Sequence, residues 1–481
     1  MVDSKTIIDG LAEIVGRKFV KTTPEVIAEY AVDNMTPMAV LSPKNTQQVS
    51  EIVKFANLEN LAIVPRGSGS KMSLGNPPKR LDLVVCTTRM NHMLDVDTAN
   101  LTITVEAGVK FRDVQARLAT EDDRCYLPLE DLVTEGDEFI CSDRSHSGCF
   151  LPIDPPCSEK ATMGGIVAAN SSGPRRLLYN LPRDFILGVR FVAPNGEIVG
   201  AGGKTVKNVS GYDISKLMIG SIGTLGIICE MTFKLLPLPE QMATLLFSFG
   251  TFSAACDFAD HIFETSLLPA AVEVMNATAF ANLKMNATPD FATDGYVVAV
   301  ALETFEEAVK RMVKEIREMA RDCGAQSDAS LQNQLHLQFW LAVSSLDPNL
   351  AARFAGLIKA KLNYRISEWK DIFEFAENTL FQGKLEHAIS AHAGCGICTI
   401  SLLMGQGGNG SVDQAIEVMG QLLKRSREAG GNLVIQYAPA DMKKRLSIWG
   451  ELPPDFAVVK RVKEQVDPSG IMSPGRFVGG L

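Results

Sequence analysis

The sequence predicts an α+β protein that is built from two main units. Helix-like and strand-like patterns alternate from the N-terminus to about residue 236, where Pro237-Leu238-Pro239 interrupts them. Strand and helix patterns then resume, which indicates a second, separate unit. The length of 481 residues is enough for two or three domains with full cores. We therefore expect a first domain at residues 1–236, a second at 237–430 and a C-terminal segment at 431–481.

The first unit is predicted to start with a helix, a strand and a second helix within about residues 5–60. Asn45 or Thr46 is predicted to cap the second helix, because short polar side chains satisfy the free N–H groups of a first helical turn. Further strands are predicted at 61–64, 81–85, 101–105 and 182–192, a helix from Gly108, and a hairpin turn at 194–197.

The second unit is predicted to contain both strands and long helices. A helix follows Thr304 and runs to Arg321, and another ends at Gly430-Gly431, a pair suited to the end of a helix. The other predicted elements are strands at 242–249, 271–275, 296–302, 364–367 and 398–403, and a helix at 252–265.

Charge and hydropathy exclude several classes of protein. The net charge of −9 and the absence of a basic run argue against a nucleic-acid-binding surface. The first residues lack the basic start and apolar core of a signal peptide, and no apolar run approaches the length of a membrane span. We expect a cytoplasmic chain, with any membrane association coming through a partner.

Three glycine-rich segments stand out as candidate binding loops. They are residues 63–73, 151–173 and 204–228, each of which combines glycines with Ser or Thr near apolar runs. Glycine allows a backbone to approach a ligand closely, and several inward N–H groups form a nest that binds anions. The spacing matches neither a phosphate-binding P-loop nor the dinucleotide fingerprint GxGxxG. One such segment alone would indicate a tight turn, but three in this order indicate a diphosphate site.

These three segments together resemble the FAD-binding domain of the vanillyl-alcohol-oxidase flavoproteins, also called the p-cresol methylhydroxylase (PCMH) type. The resemblance implies a two-subdomain FAD-binding domain, a cap domain with a large antiparallel sheet, and a C-terminus that returns to the FAD domain. FAD should bind noncovalently, since Ser70 stands where some relatives carry the histidine that bonds to flavin. The implied FAD-binding residues are Pro65, Arg66, Gly67, Ser68, Gly69, Ser70, Pro152, Asp154, Thr162, Gly164, Gly165, Asn170, Ser172, Gly173, Gly220, Gly223, Thr224, Gly226, Ile227 and Arg476.

The C-terminal half resembles the FAD-linked oxidases that include D-lactate dehydrogenases and the flavin subunits of bacterial glycolate oxidase. Metal-using members carry a His-x-Gly-Asp-Gly-Asn-x-His motif and a later Glu-His pair. Here the first histidine is His392, Thr399 stands at the second, and Gln436-Tyr437 replaces the Glu-His pair. Gln and Tyr cannot serve as a carboxylate ligand and an imidazole base. We therefore predict no metal, and name His392 and Tyr437 as candidate catalytic residues.

The segment after Gly431 is similar to the glycolate oxidase FAD-binding subunit that lacks this metal site. That resemblance implies a flavin subunit of a glycolate- or lactate-oxidase-like complex, with a second flavin subunit and an iron–sulfur subunit as partners. Two alternatives remain open. In the first alternative, the chain is an independent FAD-dependent D-2-hydroxy-acid dehydrogenase with a different base. In the second, it is a non-catalytic scaffold subunit.

Cysteines form two groups that these motifs do not explain. Cys125, Cys141, Cys149 and Cys157 lie, with His146, in or beside a polar insertion at about residues 121–150. Their wide gaps match no zinc ribbon or ferredoxin, so free thiols are favoured over a metal or iron–sulfur site. Cys395 and Cys398 form a single CxxC, which favours core or pocket lining over a redox pair.

Overall fold

The computed structural model describes residues 4–121, 148–203, 213–283, 291, 295–405 and 409–481. In the first half, the helices and strands follow one another in an order typical of a two-part domain. They are α1 (Ser4–Val15), β1 (Val20–Lys21), α2 (Pro24–Ala28), β2 (Ala39–Leu41), α3 (Thr46–Leu58), β3 (Ile63–Arg66), β4 (Leu83–Cys86), β5 (Met93–Asp97), β6 (Thr102–Glu106), α4 (Phe111–Glu121), β7 (Cys149–Phe150), α5 (Met163–Ala169), α6 (Arg176–Tyr179), α7 (Pro182–Phe185), β8 (Ile186–Val192), β9 (Ile198–Gly202), α8 (Ile214–Met218), β10 (Ile227–Lys234) and β11 (Leu236–Pro237).

Two small sheets form most of this first domain, and the short strands β7 and β11 pair with each other beside them. A four-stranded sheet has the order β1-β2-β4-β3, in which β4 runs parallel to both β2 and β3. A five-stranded antiparallel sheet has the order β5-β6-β10-β8-β9. Capping fixes where the helices begin: Asn45 Oδ1 accepts the Gln48 N–H at the start of α3, as predicted. The loops that follow β3 and precede α5 and β10 are therefore held between two rigid layers.

The second half is dominated by one antiparallel sheet of eight strands, in the order β15-β12-β14-β13-β17-β18-β16-β19. Its elements are β12 (Gln241–Phe249), α9 (Phe252–Phe263), β13 (Ala271–Asn276), α10 (Ala277–Ala281), β14 (Tyr296–Thr304), α11 (Glu306–Asp322), β15 (Ser327–Gln332), α12 (Gln334–Ser344), α13 (Leu346–Arg353), β16 (Ile358–Asn363), α14 (Trp369–Gln382), β17 (His387–His392), β18 (Ile397–Leu402), α15 (Asn409–Glu428), β19 (Asn432–Tyr437), α16 (Ala440–Lys443) and α17 (Phe456–Val466).

The two faces of this sheet belong to different cores. One face packs on α9, α11, α14 and α15, whose apolar residues include Phe258, Ile316, Phe373 and Leu422. The other face contributes residues such as Leu246 and Met275 to a core shared with the first domain. Since successive strand residues point to opposite faces, the alternation decides which side chains meet the first domain.

The C-terminal tail returns to the first domain. The N–H of Ile63 donates to the carbonyl of Ile471 at 2.7 Å, and the N–H of Ser473 donates to the carbonyl of Ile63 at 2.8 Å. Lys463, on α17, donates to the carbonyls of Thr224 and Met472. The predicted fold class, with a large antiparallel sheet and a returning C-terminus, is confirmed.

Some elements differ from those expected. Strand β16 occupies 358–363, whereas the sequence predicted a strand at 364–367, and β5 lies between the predicted strands 81–85 and 101–105, where none was predicted. The apolar–polar alternation runs from Ile358 to Ser367, so it does not by itself set the bounds of β16. Cys125, Cys141 and His146 of the insertion lie outside the described residues, as does the segment 204–212.

Candidate FAD cavity and adjoining basic cavity

A cavity lies in the first domain and is lined by residues of β3, β10 and the loops beside them; we call it the first cavity. Its walls come from the loop after β3, the start of α5 and the loop that enters β10. The predicted residues that line it are Pro65, Arg66, Gly67, Ser68, Gly69, Ser70, Thr162, Gly164, Gly165, Gly223, Gly226, Ile227 and Arg476. Lys71, Met72, Leu74, Thr87, Ala107, Ala168, Ala169, Ile222 and Ile228 complete the lining.

Glycine is required in these walls because the loops approach one another closely. A Cβ on Gly67 would lie 2.0 Å from Thr162 Oγ1, and that oxygen caps α5 by accepting the Gly165 N–H. Gly223 has a φ of +77°, and a Cβ there would lie 2.9 Å from the ring of Pro65. Bare backbone and a helix N-terminus therefore face the same space, which suits a diphosphate.

The tail closes the remaining side of the first cavity. Arg476 donates to the carbonyls of Met72 and Leu74, both at 2.6 Å, and its Nε is buried without a hydrogen-bond partner among the described residues. Burial lowers the pKa of Arg476 to about 10, so it is still a cation at neutral pH. A buried cation with a free donor, facing a glycine-lined cavity, fits an anionic cofactor.

The residues of the first cavity fit FAD. Backbone amides of the glycine-rich loops, together with Arg66 and Arg476, would hold the diphosphate. Of the described residues that line the cavity, none is His, Cys or Tyr, the side chains that form covalent bonds to flavins. That FAD binds noncovalently stays a prediction.

Seven predicted FAD-binding residues lie elsewhere. Asn170, Ser172, Gly173 and Gly220 line an adjoining cavity, whereas Pro152, Asp154 and Thr224 line neither. The Asp154 carboxylate accepts the N–H groups of Gly173 and Arg175, at 2.7 and 2.9 Å. Burial raises the pKa of Asp154, and the neighbouring Arg175 partly offsets this effect. Asp154 therefore shapes the turn between the two cavities.

The adjoining cavity, which we call the second cavity, lies between the first domain and the large sheet. It shares Lys71, Leu74, Ala169 and Ile222 with the first cavity, so the two are contiguous. Strand register assembles its floor: Glu273, His392 and Ile397 lie side by side on β13, β17 and β18. One row further along the strands, Ser390, Thr399 and Lys361 do the same on β17, β18 and β16.

A histidine–carboxylate pair is the most reactive feature of this floor. His392 Nδ1 lies 2.5 Å from Glu273 Oε2, and the Glu273 side chain is fully buried. The pairing leaves His392 Nε2 as the nitrogen available to a ligand. A carboxylate on one ring nitrogen fixes the ring and supports proton acceptance at the other.

Basic side chains surround this pair. Lys71, Arg176, Lys359 and Lys361 all line the second cavity. Burial, followed by the positive charges of Arg176, Lys359 and Lys71, lowers the pKa of Lys361 from 10.5 to about 7. Burial likewise lowers the pKa of Arg176. The described lining of the cavity therefore carries four basic side chains and one carboxylate, Glu273, which is engaged with His392, and this set suits a small anion.

The other catalytic candidate and the cysteines lie apart from this pair. Tyr437 packs against the core on the first-domain side of the sheet and lines neither cavity, whereas its neighbour Gln436 does line the second. Cys398 is fully buried, and burial raises the pKa of Cys395 to about 11. Cys149 and Cys157 are also buried. Within the described ranges, no group of three or more His, Cys, Asp or Glu side chains could hold a metal ion.

Sequence reasoning did not single out Glu273, Arg176 or Lys361. Each lies far in sequence from His392, and only strand pairing and domain contact bring them together. The one signal available was the alternation of Lys359 and Lys361 within an otherwise apolar run.

Comparisons with known proteins agree with this geometry. The FAD binding domain family matches residues 37–127 and 144–202, and the C-terminal domain family of FAD linked oxidases matches residues 238–477. Glycolate oxidase subunit GlcD of Bacillus subtilis (strain 168) is 26% identical over 92% of this chain and 89% of its own length. D-lactate dehydrogenase of Archaeoglobus fulgidus is 28% identical over 95% of each chain.

A crystal structure of p-cresol methylhydroxylase with substrate bound has a TM-score of 0.75 and 16% identity, covering 98% of this chain and 96% of that one. None of the helices in the described ranges is both long and apolar enough to span a bilayer. Two family matches in tandem, relatives aligned over almost the whole chain and a shared fold lead to one assignment. The chain belongs to the FAD-linked oxidoreductases with a PCMH-type FAD-binding domain, the family of glycolate oxidase subunit GlcD and D-lactate dehydrogenase.

Proposed function

We propose that this chain is the substrate-oxidising flavin subunit of a 2-hydroxy-acid dehydrogenase, and that it works without a metal ion. One observation carries the proposal: the His392–Glu273 pair and the cations Arg176 and Lys361 line one cavity, which is contiguous with the glycine-lined cavity. A 2-hydroxy acid needs a partner for its carboxylate and an acceptor for its hydroxyl proton. This cavity offers both.

The residues of the second cavity divide this work. Arg176 and Lys361 bind the carboxylate by charge and hydrogen bonds. His392 Nε2 accepts the hydroxyl proton, and the buried Glu273 carboxylate stabilises the imidazolium that results. FAD, when bound, supplies an acceptor for the hydride that leaves the adjacent carbon. Ser390 Oγ and Thr399 Oγ1 lie 2.8 Å apart on the same floor and are available to orient the hydroxyl.

Anaerobic mixing of the purified flavin-loaded chain with D-lactate, glycolate and D-2-hydroxyglutarate tests this proposal. At least one acid is expected to bleach the visible absorbance of the flavin, with or without a chelator. A lack of bleaching by every 2-hydroxy acid, despite bound flavin, would contradict the proposal and favour a scaffold role. Bleaching that a chelator abolishes and a divalent metal restores would contradict the metal-free mechanism.

We further propose that the chain works inside a complex with a second flavin subunit and an iron–sulfur subunit. The support is that relatives are named as subunits of glycolate oxidase. In this proposal the chain is cytoplasmic and reaches a membrane only through its partners.

The polar insertion is proposed as part of the docking surface for the iron–sulfur subunit. Deleting residues 121–147 is expected to leave FAD bound and to weaken the co-purification of the partner subunits. Full recovery of the partners with the deleted chain would exclude this role for the insertion.

A further inference from the structure

Lys361 is placed so that its charge depends on what occupies the second cavity. It lies at the centre of β16, paired with Thr399 of β18 on one side and with Val434 of β19 on the other. Neither neighbour carries a charge. The cavity's described carboxylate, Glu273, lies three strands away on β13 and is engaged by His392.

The other charged groups that face Lys361 come from four elements. Arg176 on α6, Lys359 on the same strand and Lys71 in the loop after β3 oppose its protonation, whereas Cys395, between β17 and β18, would favour it only as a thiolate, at a pH near 11 or above. No ion pair joins Lys361 to an acid in the described part of the chain. Desolvation and like charge both disfavour an ammonium group here.

We propose that Lys361 makes anion binding proton-coupled: its amine is partly neutral when the cavity is empty and takes up a proton from solvent when a carboxylate enters. This inference rests on the proposed function for the identity of the anion. It adds a regulation of the same site, since affinity then depends on pH through a lysine and not only through the histidine.

The direction of the effect follows from linkage. Below about pH 6 Lys361 is already charged in the empty cavity, so the number of protons taken up per bound anion is close to zero. The bound anion raises the pKa of Lys361, because an opposite charge stabilises the ammonium form. At about pH 8 binding should therefore take up as much as one proton, and the affinity should fall by up to about tenfold per pH unit above neutrality.

Calorimetric titration of the flavin-loaded chain with oxalate, in two buffers of different ionisation enthalpy, measures this uptake. Oxalate is a compact carboxylate that has no hydroxyl to oxidise, so the measurement does not depend on turnover. Uptake approaching one proton is expected at about pH 8, and little at about pH 6.

The variant Lys361→Arg separates Lys361 from His392. Arginine remains charged at both pH values, so this variant should bind oxalate without proton uptake and with little dependence on pH. Lys359→Arg, on the same strand and in the same cavity, should keep the uptake. Flavin content reports whether each variant is folded.

Three results would overturn the inference: no oxalate binding to the parent chain, binding without uptake at about pH 8, or unchanged uptake in Lys361→Arg. The last result would assign the proton to His392. Turnover without proton uptake would overturn this inference alone. Proton uptake without turnover of any 2-hydroxy acid would overturn only the proposed function.

Discussion

The carboxylate of Glu273 is fully buried, with one oxygen on His392 and the other without a hydrogen-bond partner among the described residues. Such a carboxylate is costly to bury unless it stabilises a positive charge. In this site that charge would arise on His392 as it accepts the substrate proton.

His392→Gln is therefore expected to lower the rate of flavin reduction by about 10²–10⁴-fold, since the variant has no basic nitrogen. Stopped-flow mixing with the best substrate gives the rate, and bound flavin should stay unchanged. His387→Gln is the matched control, because His387 lies on the same strand, bonds to the Leu385 carbonyl and does not line the cavity. Equal loss in both variants, or loss in neither, would show that His392 is not the base.

Gly165 permits a clean test of the first cavity. Gly165 lines the cavity, and the one atom near a Cβ there would be Thr162 Oγ1, at 3.1 Å, which needs to move by only a few tenths of an ångström. Gly165→Val is expected to fold but to retain little FAD, measured as flavin released by acid per mole of protein. Gly223 is less suitable, because its φ of +77° would strain any substitution.

Gly420→Val controls for valine within a helix, since Gly420 is exposed on α15 with nothing near its Cβ position. This control should keep full flavin. Normal flavin in Gly165→Val would place the diphosphate elsewhere.

Sequence reasoning reached the residues of the first cavity because their signal is local. Gly67, Gly164 and Gly223 each lie in a short run of small residues whose composition indicates close backbone approach. Glu273 and Lys361 carry no such signal, because a charged residue within a strand has a role only once register and domain contact are known. His392 was found through a motif, but its carboxylate partner is 119 residues away.

At the scale of elements, a buried ion pair joins the segment before α6 to strand β14. Arg175 makes two hydrogen bonds to the Glu303 carboxylate, which also accepts the Tyr179 hydroxyl. Burial by itself would raise the pKa of Glu303, but Arg175 and His336 hold it well below its ordinary value. A buried charge pair thus connects the first domain with the large sheet, and breaking it would strongly lower the free energy of unfolding.

Glu303→Gln is expected to lower the free energy of unfolding by roughly 3–5 kcal/mol, because Arg175 would be left as an unpaired buried charge. The Glu303 carboxyl has a lower pKa in the folded chain than in the unfolded chain, where it is about 4.3. The ionised carboxylate therefore stabilises the fold above about pH 4.3, and this stabilisation is lost as the pH falls towards the pKa of the folded chain. The difference between parent and variant should therefore be constant above about pH 5 and shrink at lower pH.

Urea unfolding followed at several pH values measures that difference. Glu464→Gln serves as the control, because Glu464 pairs with Lys460 on the exposed side of α17. Exposed pairs contribute little, so this variant should unfold like the parent. If the Glu303→Gln chain is as stable as the parent, the Arg175–Glu303 pair does not stabilise the contact between the domains.

Secondary structure was predictable where a pattern was strong, as in α3, α11 and β12. Strand β16 was placed too late in the sequence. The apolar–polar alternation that begins at Ile358 continues through Tyr364-Arg365-Ile366-Ser367, so the pattern alone does not fix where the strand begins and ends.

At the scale of the whole molecule, the tail and α16 clamp the loop after β3. Lys443 on α16 donates to the carbonyls of Ser73 and Gly75 and pairs with Asp33, while Arg476 holds Met72 and Leu74. The loop that lines the first cavity therefore depends on contacts from residues more than 360 positions away.

Arg476→Met is expected to reduce FAD retention through gel filtration, because two part-buried carbonyls lose their donor and the cavity loses a cation. Its thermal unfolding should change less than its flavin content, since the hydrogen bonds between the tail and Ile63 remain. Arg461→Met is the control, as Arg461 is exposed on α17. If Arg476→Met retains as much flavin as the parent, the tail covers the loop but Arg476 does not help to hold FAD.

The returning tail also bears on when the cofactor can be loaded. Residues 472–476 lie about 400 positions after the loop that they hold, 71–76. Contacts between such distant parts of a chain form late in folding, because the intervening chain must first be ordered. Refolding in the presence of FAD should therefore show flavin retention only after most of the helices and strands have formed.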